Sequence, residues 1–234
     1  MDGILYSAIG DRFFAEALTS ARSSLRFNHI PHLVCTDQDA PEPETESENL
    51  SIRTYRPTGD AFAEKIRNMA ASPFERSIFL DTDTYVANHL RQLFALLDKF
   101  DMAAALAPGY RGGNDPEVPP AFFELNTGVI AWRAGERTAS FFAEWLDIYE
   151  DLKTEPVNWL AEQPAFRRCA WRHDLAMYVL GPEYNYRLNK PGSAVAQVRV
   201  VHGRSIDYEE IVAILNRDVG PRVFPPFTTR PPAR

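Results

Sequence analysis

The chain has 234 residues, which fits one large α/β domain or two small ones, and with 45% hydrophobic and 12% aromatic residues it can bury a substantial core. Its net charge of −7 and the lack of a local basic patch argue against a nucleic-acid partner. Cys35 and Cys169 lie far apart, which predicts reduced buried thiols rather than a disulfide framework or a zinc site. The N-terminus does not resemble a signal peptide and no stretch reaches transmembrane length, so we expect a cytoplasmic protein.

Strand-like and helix-like patterns alternate along the first half of the chain, which predicts βαβ units and a mostly parallel sheet. Apolar runs predict strands, and apolar residues spaced three or four apart predict helices. The predicted strands are 4–8, 32–35 and 78–80, and the predicted helices are 11–25 and 61–71. Residues 38–49 are acidic and rich in Pro, Glu and Ser, which predicts a solvated loop.

The second half continues the alternation and adds two proline-rich segments. Helices are predicted at 89–99, 136–152, from Pro164 onward and 207–215, and strands are predicted at 102–107, 125–132 and 197–201. Residues 108–120 contain four prolines and three glycines, which predicts a mobile surface loop that acts as a lid or binds an acceptor. We expect one domain over 1–217 and a Pro-rich, weakly ordered tail over 218–234.

Two aspartates follow the apolar strand that ends at Leu80. In open α/β sheets, ligands bind just past the carboxyl ends of the strands, which places Asp81 and Asp83 at the rim of a site. Two carboxylates so close repel each other unless a cation lies between them. Oxygen ligands suit Mg²⁺ or Mn²⁺, and these ions hold phosphates. The pair therefore indicates a metal-assisted site for a diphosphate compound, with an acidic helix-capping turn as the alternative.

Several segments, taken in order, resemble the nucleotide-diphospho-sugar transferases of the GT-A fold, and are similar to the glycogenin and galactosyltransferase-like group. The segments are 3–11, 65–67 with 72–74, 80–84, 125–129, 162–165, 181–185 and 201–203. Each motif is short, but their order and spacing together are fairly specific. The chain departs from the pattern at Glu162, where an aspartate is common, and at His202-Gly203, where many relatives have an aromatic residue and a separate glycine.

The resemblance implies a single Rossmann-like GT-A domain, with a central, mostly parallel sheet flanked by helices. It implies transfer of a sugar from a nucleotide-diphosphate donor, with a UDP-sugar expected, and retention of the anomeric configuration. The acceptor is left open between a glycan, a lipid-linked sugar and a small molecule. It also implies Mn²⁺ or Mg²⁺ as cofactor, held by Asp81, Asp83 and His202.

The resemblance assigns two further sets of site residues. The catalytic residues would be Asn126, Glu162 and Gln163. The donor would be bound by Tyr6, Ser7, Ala8, Asp11, Lys65, Thr82, Thr127, Gly128 and Gly203.

Other functions and purely structural roles stay open at this point. A nucleotidyl- or phospho-transferring enzyme would use the same acidic pair, but it is expected to carry a Gly-rich phosphate loop, which the sequence lacks. A non-catalytic protein of the same fold would bind a sugar nucleotide or a glycan without turnover. Locally, Lys65 fits a solvated helix surface, residues 126–128 fit a strand bulge, and Glu162 fits a charge at a helix N-terminus.

Overall fold

A computed structural model describes residues 1–38, 48–109, 115–154 and 161–227. The strands in these ranges are β1 (Asp2–Ala8), β2 (His32–Thr36), β3 (Leu50–Thr54), β4 (Arg76–Leu80), β5 (Thr84–Val86), β6 (Met102–Leu106), β7 (Leu125–Arg133), β8 (Met177–Leu180), β9 (Tyr186–Arg187), β10 (Gly192–Ala194), β11 (Val200–His202) and β12 (Arg222–Phe224). The helices are α1 (Asp11–Leu25), α2 (Ala61–Ala70), α3 (Arg91–Leu96), α4 (Glu136–Leu152), α5 (Gln163–Arg172) and α6 (Tyr208–Asn216), with a 3₁₀ turn at Pro182–Tyr184.

The central sheet has the strand order β3-β2-β1-β4-β7-β6-β8. Strand β7 runs antiparallel to β4 and β6, while the other neighbouring strands of this sheet pair in parallel. The predicted mostly parallel α/β sheet is therefore confirmed. The two edge strands, β3 and β8, were not predicted from the sequence. Both are short and largely exposed, so they lack the continuous apolar run of a buried strand.

Helices cover both faces of this sheet, and consecutive residues of β1 show how the two cores are divided. Leu5 belongs to the core that β1 shares with α2, α4 and α5, where Trp145 and Phe166 pack edge to face with ring centroids 4.8 Å apart. Ile4 and Tyr6 point to the opposite face and pack with residues of α1 and α3. Two helical layers enclosing a sheet are the arrangement expected of an α/β domain.

Most predicted helices agree with the structure to within a few residues. Helices α1 and α4 have the predicted bounds, and α5 carries Pro164 in its first turn. Helix α3 is shorter than predicted, at Arg91–Leu96 rather than 89–99. The strand predicted at 197–201 is found at Val200–His202, so it contains the histidine instead of ending before it.

Part of the segment assigned to a tail is joined to the domain. Strand β12 pairs antiparallel with β10, and the ring of Phe224 packs edge-on against Tyr186. The Phe227 N–H donates to the Leu188 carbonyl over 2.8 Å. These phenylalanines supply apolar surface within a proline-rich composition, so weak order was a wrong prediction for residues 222–227. Residues 228–234 lie outside the described ranges.

The loop predicted over 108–120 is held against α5 in its second half. Buried Arg168 forms an ion pair with buried Asp115, with Nε and Oδ2 2.8 Å apart. Arg167 is also buried and donates to the carbonyls of Pro119 and Phe122. One ion pair and two hydrogen bonds thus join residues 115–122 to α5, and the mobility expected of the loop stays a prediction. Residues 110–114 lie outside the described ranges.

Two chain-wide features complete the fold. Cys35 and Cys169 are both buried and free. In the described part of the chain, no helix combines the length and the apolar composition needed to cross a bilayer.

The buried ring of His32, at the start of β2, makes the stability of the fold depend on pH. Burial lowers the pKa of His32 to about 4, although Nδ1 lies 2.7 Å from the Ile30 carbonyl. Between about pH 6.5 and this value the unfolded chain binds a proton that the folded protein does not. The free energy of unfolding therefore falls as the pH drops through this window, by about 3 kcal/mol from this group.

We predict that His32→Gln removes this part of the pH dependence. Urea denaturation at about pH 7 and at about pH 4.5 gives the free energy of unfolding of the wild type and of the variant at each pH. The loss between the two pH values should be smaller in the variant. His29→Gln, which replaces an exposed histidine, is the matched control and should keep the wild-type dependence. The same loss of stability on acidification in His32→Gln as in the wild type would contradict the prediction.

Candidate functional site

A cleft of about 600 Å³ opens where β1 and β4 end. It is lined by Ser7, Ile9, Phe13, Ala61, Phe62, Lys65, Asp81, Thr82, Asp83, Ala107, Pro108, Gly109, Asn126, Thr127, Ala161, Glu162, Gln163, Arg187, Asn189, Lys190, His202 and Arg204. Because β7 is antiparallel to β4, its first residues lie at the same rim as the carboxyl end of β4. The cleft is thus at the sheet edge where ligands bind in open α/β folds.

Asp81, Asp83 and His202 meet at one side of this cleft. Strand β11 pairs antiparallel with β5, which sets His202 opposite Thr84 and beside the turn that carries both aspartates. The His202 Nε2 atom lies 3.2 Å from Asp83 Oδ1 and 3.5 Å from Asp81 Oδ2. One ligand atom from each of the three residues lies within 4.8 Å of the others. Two carboxylates and one imidazole are a donor set that can hold a divalent cation.

The backbone next to these side chains leaves room for them. A Cβ atom on Gly128 would lie 2.0 Å from His202 Cε1 and 2.8 Å from Asp81 Oδ2. The Gly128 carbonyl also accepts a hydrogen bond from the Asp81 N–H over 2.8 Å. A side chain at position 128 would push the ligands apart, so both the chemistry and the space of this group fit a divalent cation.

A buried ion pair lies next to the acidic pair. The Lys65 ammonium is 2.7 Å from Asp81 Oδ1 and 2.7 Å from Glu162 Oε1. The same Glu162 oxygen accepts a hydrogen bond from Thr127 Oγ1 over 2.7 Å. Lys65 therefore joins three elements of the cleft, and its alternative placement on a solvated helix surface is wrong.

Both members of this pair are held in their charged forms. Burial opposes the charge of Lys65, but the carboxylates of Asp81 and Glu162 outweigh it and raise the pKa of Lys65. Burial likewise opposes the charge of Glu162, but the Lys65 ammonium and the Thr127 hydroxyl lower the pKa of Glu162. Glu162 precedes α5 without capping it, because its side chain makes no hydrogen bond to the first turn.

Asp83 is also kept ionised by its neighbours. Burial raises the pKa of Asp83, but the adjacent His202 ring and the charges of Arg204 and Arg187 outweigh burial and hold this pKa well below its ordinary range. Lys65 provides the positive neighbour of Asp81. The expected repulsion between the two aspartates is thus offset by the protein itself, so the sequence argument that they require a cation between them was incomplete.

The amide side chains predicted to be catalytic contact each other. Asn126 Nδ2 donates to Gln163 Oε1 over 2.8 Å, and Gln163 in turn donates to the carboxylate of Glu124. The β6–β7 register shifts between Ala104 and Ala105. The predicted bulge near residues 126–128 is therefore present, and these residues line the site as well.

The structure brings most of the predicted residues together, but not all. The predicted residues that line the cleft are Ser7, Lys65, Asp81, Thr82, Asp83, Asn126, Thr127, Glu162, Gln163 and His202. Tyr6 and Ala8 are wholly buried in the core, and Asp11 is exposed at the start of α1, so their side chains do not line it. Gly203, at φ +128°, donates its N–H to the Asp83 carbonyl and holds the acidic turn.

Several basic residues of the cleft were missed from the sequence. Arg204 binds both carboxylate oxygens of Glu16, at 2.7 and 2.9 Å, and its Nη1 lies 3.6 Å from Asp83 Oδ2. Arg187 lies beside His202 in the β9–β11 pair. Lys190 also lines the cleft. The sequence does show several basic residues between the motifs at 181–185 and 201–203 and just after the second one, and this cluster could have indicated a basic side of the cleft.

Comparison with known proteins supports the fold. No protein-family model and no curated protein matches the sequence. Mouse xyloside xylosyltransferase 1, in its apo form, is 15% identical with a TM-score of 0.60, over 87% of this chain and 98% of that chain. An active-site mutant of LgtC is 12% identical with a TM-score of 0.66, over 93% of this chain and 95% of that chain.

The glycosyltransferase GlyE of Streptococcus pneumoniae is 16% identical with a TM-score of 0.59. The alignment covers 80% of this chain but only 47% of GlyE, so this chain spans about half of that protein. The likeness to these solved structures concerns the fold. This chain has the GT-A fold, as its motifs predicted.

We predict that the Lys65 ion pairs are required for stability. Lys65→Met leaves the buried carboxylate of Glu162 without its cation and should lower the free energy of unfolding by about 3–5 kcal/mol. The double variant Lys65→Met/Glu162→Gln should recover part of this loss, because it removes the unpaired charge. Urea denaturation at neutral pH measures both effects.

Lys153→Met is the matched control, because Lys153 also contacts two carboxylates, at 2.6 and 2.8 Å, but on the surface. Its loss should cost less than about 1 kcal/mol, since exposed ion pairs contribute little. Equal costs for Lys65→Met and Lys153→Met would show that the Lys65 ion pairs do not behave as buried ones.

Proposed function

We propose that this protein is a metal-dependent glycosyltransferase that moves a sugar from a nucleotide-diphosphate donor, a UDP-sugar, to an acceptor. The observation that carries the proposal is the meeting of Asp81, Asp83 and His202 at the cleft rim. The Lys65–Glu162 pair and a GT-A fold support it. A cleft of about 600 Å³ has room for a ligand of this class.

The metal side of the cleft suits a diphosphate. Asp81, Asp83 and His202 would hold Mn²⁺ or Mg²⁺ through two carboxylate oxygens and Nε2. When bound, the ion supplies Lewis acidity toward the departing diphosphate. Arg187, Lys190 and Arg204 line this part of the cleft, and their positive charges and N–H groups would bind phosphate oxygens.

The adjoining part of the cleft suits the transferred sugar. Asn126 and Gln163 present amide groups that hydrogen-bond sugar hydroxyls. The ionised carboxylate of Glu162 would stabilise positive charge that develops on the anomeric carbon as its bond to the diphosphate breaks. Lys65 keeps this carboxylate charged and fixed in position. We propose transfer with retention of configuration, as the resemblance to the glycogenin-like group implies.

The acceptor is proposed only by class. The galactosyltransferase LgtC, which has the same fold, was solved in complex with donor and acceptor sugar analogues. This supports a sugar-containing acceptor for the present chain, free, lipid-linked or within a glycan. Ala107, Pro108 and Gly109 line the cleft and would lie beside such an acceptor.

We predict that donor binding requires a divalent ion and Asp83. Calorimetric titration of UDP in Mn²⁺ should show binding that EDTA abolishes. Asp83→Asn should weaken Mn²⁺-dependent UDP binding by more than about 100-fold, because a direct ligand matters more than an outer-shell partner. No gain in melting temperature is expected, because Asp83 already has the positive charge of Arg204 beside it.

The matched control is Asp98→Asn, which removes a carboxylate on the far side of the domain, paired with Arg76. It should leave UDP affinity and the release of UDP from a panel of UDP-sugars at the wild-type level. Equal UDP affinity in EDTA and in Mn²⁺ would contradict the metal-dependent mechanism. Tight Mn²⁺-dependent binding of UDP-sugars without any turnover, with or without sugar acceptors, would favour a binding protein over an enzyme.

A further inference from the structure

A line of hydrogen-bonded side chains lies beneath the cleft and ends at the histidine of the proposed cation site. Asn126 Nδ2 donates to Gln163 Oε1 over 2.8 Å, and Asn185 Nδ2 donates to Asn126 Oδ1 over 2.7 Å. The other atom of the Asn185 amide, Oδ1, lies 2.7 Å from His202 Nδ1. The side chains of this line are buried, so each polar atom depends on its neighbour for a partner.

Groups that can only donate or only accept a hydrogen bond fix the orientation of the amides in this line. The backbone N–H of Gly128 can only donate, and it lies 3.0 Å from Asn126 Oδ1. That atom is therefore the oxygen of the amide, and the Asn126 nitrogen faces Gln163. At the far end, Gln163 meets the Glu124 carboxylate, which accepts when ionised. The two ends require the same orientation of the amides.

This orientation determines which nitrogen of His202 carries hydrogen. Because Asn126 Oδ1 accepts from Asn185, the Asn185 nitrogen faces Asn126 and the Asn185 oxygen faces the imidazole. An amide oxygen cannot donate, so His202 Nδ1 must supply the hydrogen. A neutral imidazole carries only one such hydrogen, and Nε2 is left with a free lone pair.

Nε2 lies beside a guanidinium and two carboxylates. Arg187 Nη1, which can only donate, lies 2.5 Å from His202 Nε2 and 2.9 Å from His202 Nδ1, so this contact does not select one nitrogen and the assignment rests on the Asn185 oxygen. The Nε2 lone pair faces Asp83 Oδ1 and Asp81 Oδ2 at 3.2 and 3.5 Å. Three electron-pair donors thus point into one space, which is the arrangement a divalent cation needs and a hydrogen on Nε2 would prevent.

We propose that Asn185 is a positioning residue, which holds His202 in the tautomer protonated on Nδ1 and so presents Nε2 as a metal ligand. The importance of this role rests on the proposed cation site, but the tautomer itself is a property of the metal-free protein. The Gly128 N–H donates to the Asn126 oxygen and so fixes the orientation of the Asn126 amide. The Asn185 nitrogen donates to the same oxygen, which leaves the Asn185 oxygen facing the His202 ring. Outer-shell hydrogen bonds of this kind orient ligating histidines and raise their affinity for metals.

The tautomer can be measured directly. Two-bond ¹⁵N–¹H correlation spectra of ¹⁵N-histidine-labelled, metal-free protein at about pH 8 distinguish a ring protonated on Nδ1 from one protonated on Nε2. The chain has five histidines, and the signal that disappears in His202→Gln assigns His202. We expect the wild type to show hydrogen on Nδ1.

Two substitutions of Asn185 separate the hydrogen bond from the packing. Asn185→Leu keeps the shape but removes the acceptor, so His202 should change to the Nε2–H tautomer and Mn²⁺ affinity should fall about 10- to 100-fold. Asn185→Asp keeps an oxygen against Nδ1, so it should retain the wild-type tautomer. The control is Asn28→Leu, which removes another buried amide, bonded to Ser24 and Leu90. It should change neither the tautomer nor Mn²⁺ affinity.

The outcomes distinguish this inference from the proposed function. Hydrogen on Nε2 in the wild type overturns the inference even if Mn²⁺ binds. Asn185→Leu with the wild-type tautomer and wild-type Mn²⁺ affinity overturns it as well. Hydrogen on Nδ1 in a wild-type protein that does not bind Mn²⁺ supports the tautomer assignment and overturns the metal-dependent function instead.

Discussion

The buried ammonium group of Lys65 joins the parts of the cleft. It brings α2 against the end of β4 through Asp81 and against the start of α5 through Glu162. Charges in a protein interior are tolerated only when they are paired and hydrogen-bonded, so the positions of these three groups depend on one another. The charges of Asp81, Glu162 and Lys65 therefore stabilise one another, and a change at one of them affects the other two.

The antiparallel strand β7 adds the groups of the sugar side to these three residues. Its reversed direction brings Asn126 and Thr127 to the rim where β4 ends, and Thr127 then hydrogen-bonds Glu162. The register shift against β6 and the missing side chain at Gly128 let His202 and Asp81 approach the strand. A single irregular stretch of strand thus provides both the polar groups of the cleft and the space for the proposed cation.

Much of this was predictable from local pattern. The helices and most central strands follow from apolar spacing, because burying one face of each element is a strong and local constraint. Asp81 and Asp83 could be placed at a site because they follow a buried strand, and the order of the short motifs indicated the GT-A fold. The edge strands β3 and β8, the C-terminal strand β12 and the contacts of residues 115–120 with α5 were not predicted, because pairing between distant parts of the chain forms them.

The sequence by itself determined that the chain forms an α/β sheet and which residue types are available for metal, phosphate and sugar. It also placed the two aspartates at the end of a strand. Only the tertiary structure decided how these groups act together: that Lys65 pairs with both Asp81 and Glu162, that Arg187 and Arg204 lie beside the acidic turn, and that the Asn185 amide contacts the His202 ring. The physical reason is that burial and charge pairing depend on distances between residues far apart in the chain, and such distances exist only in the folded protein.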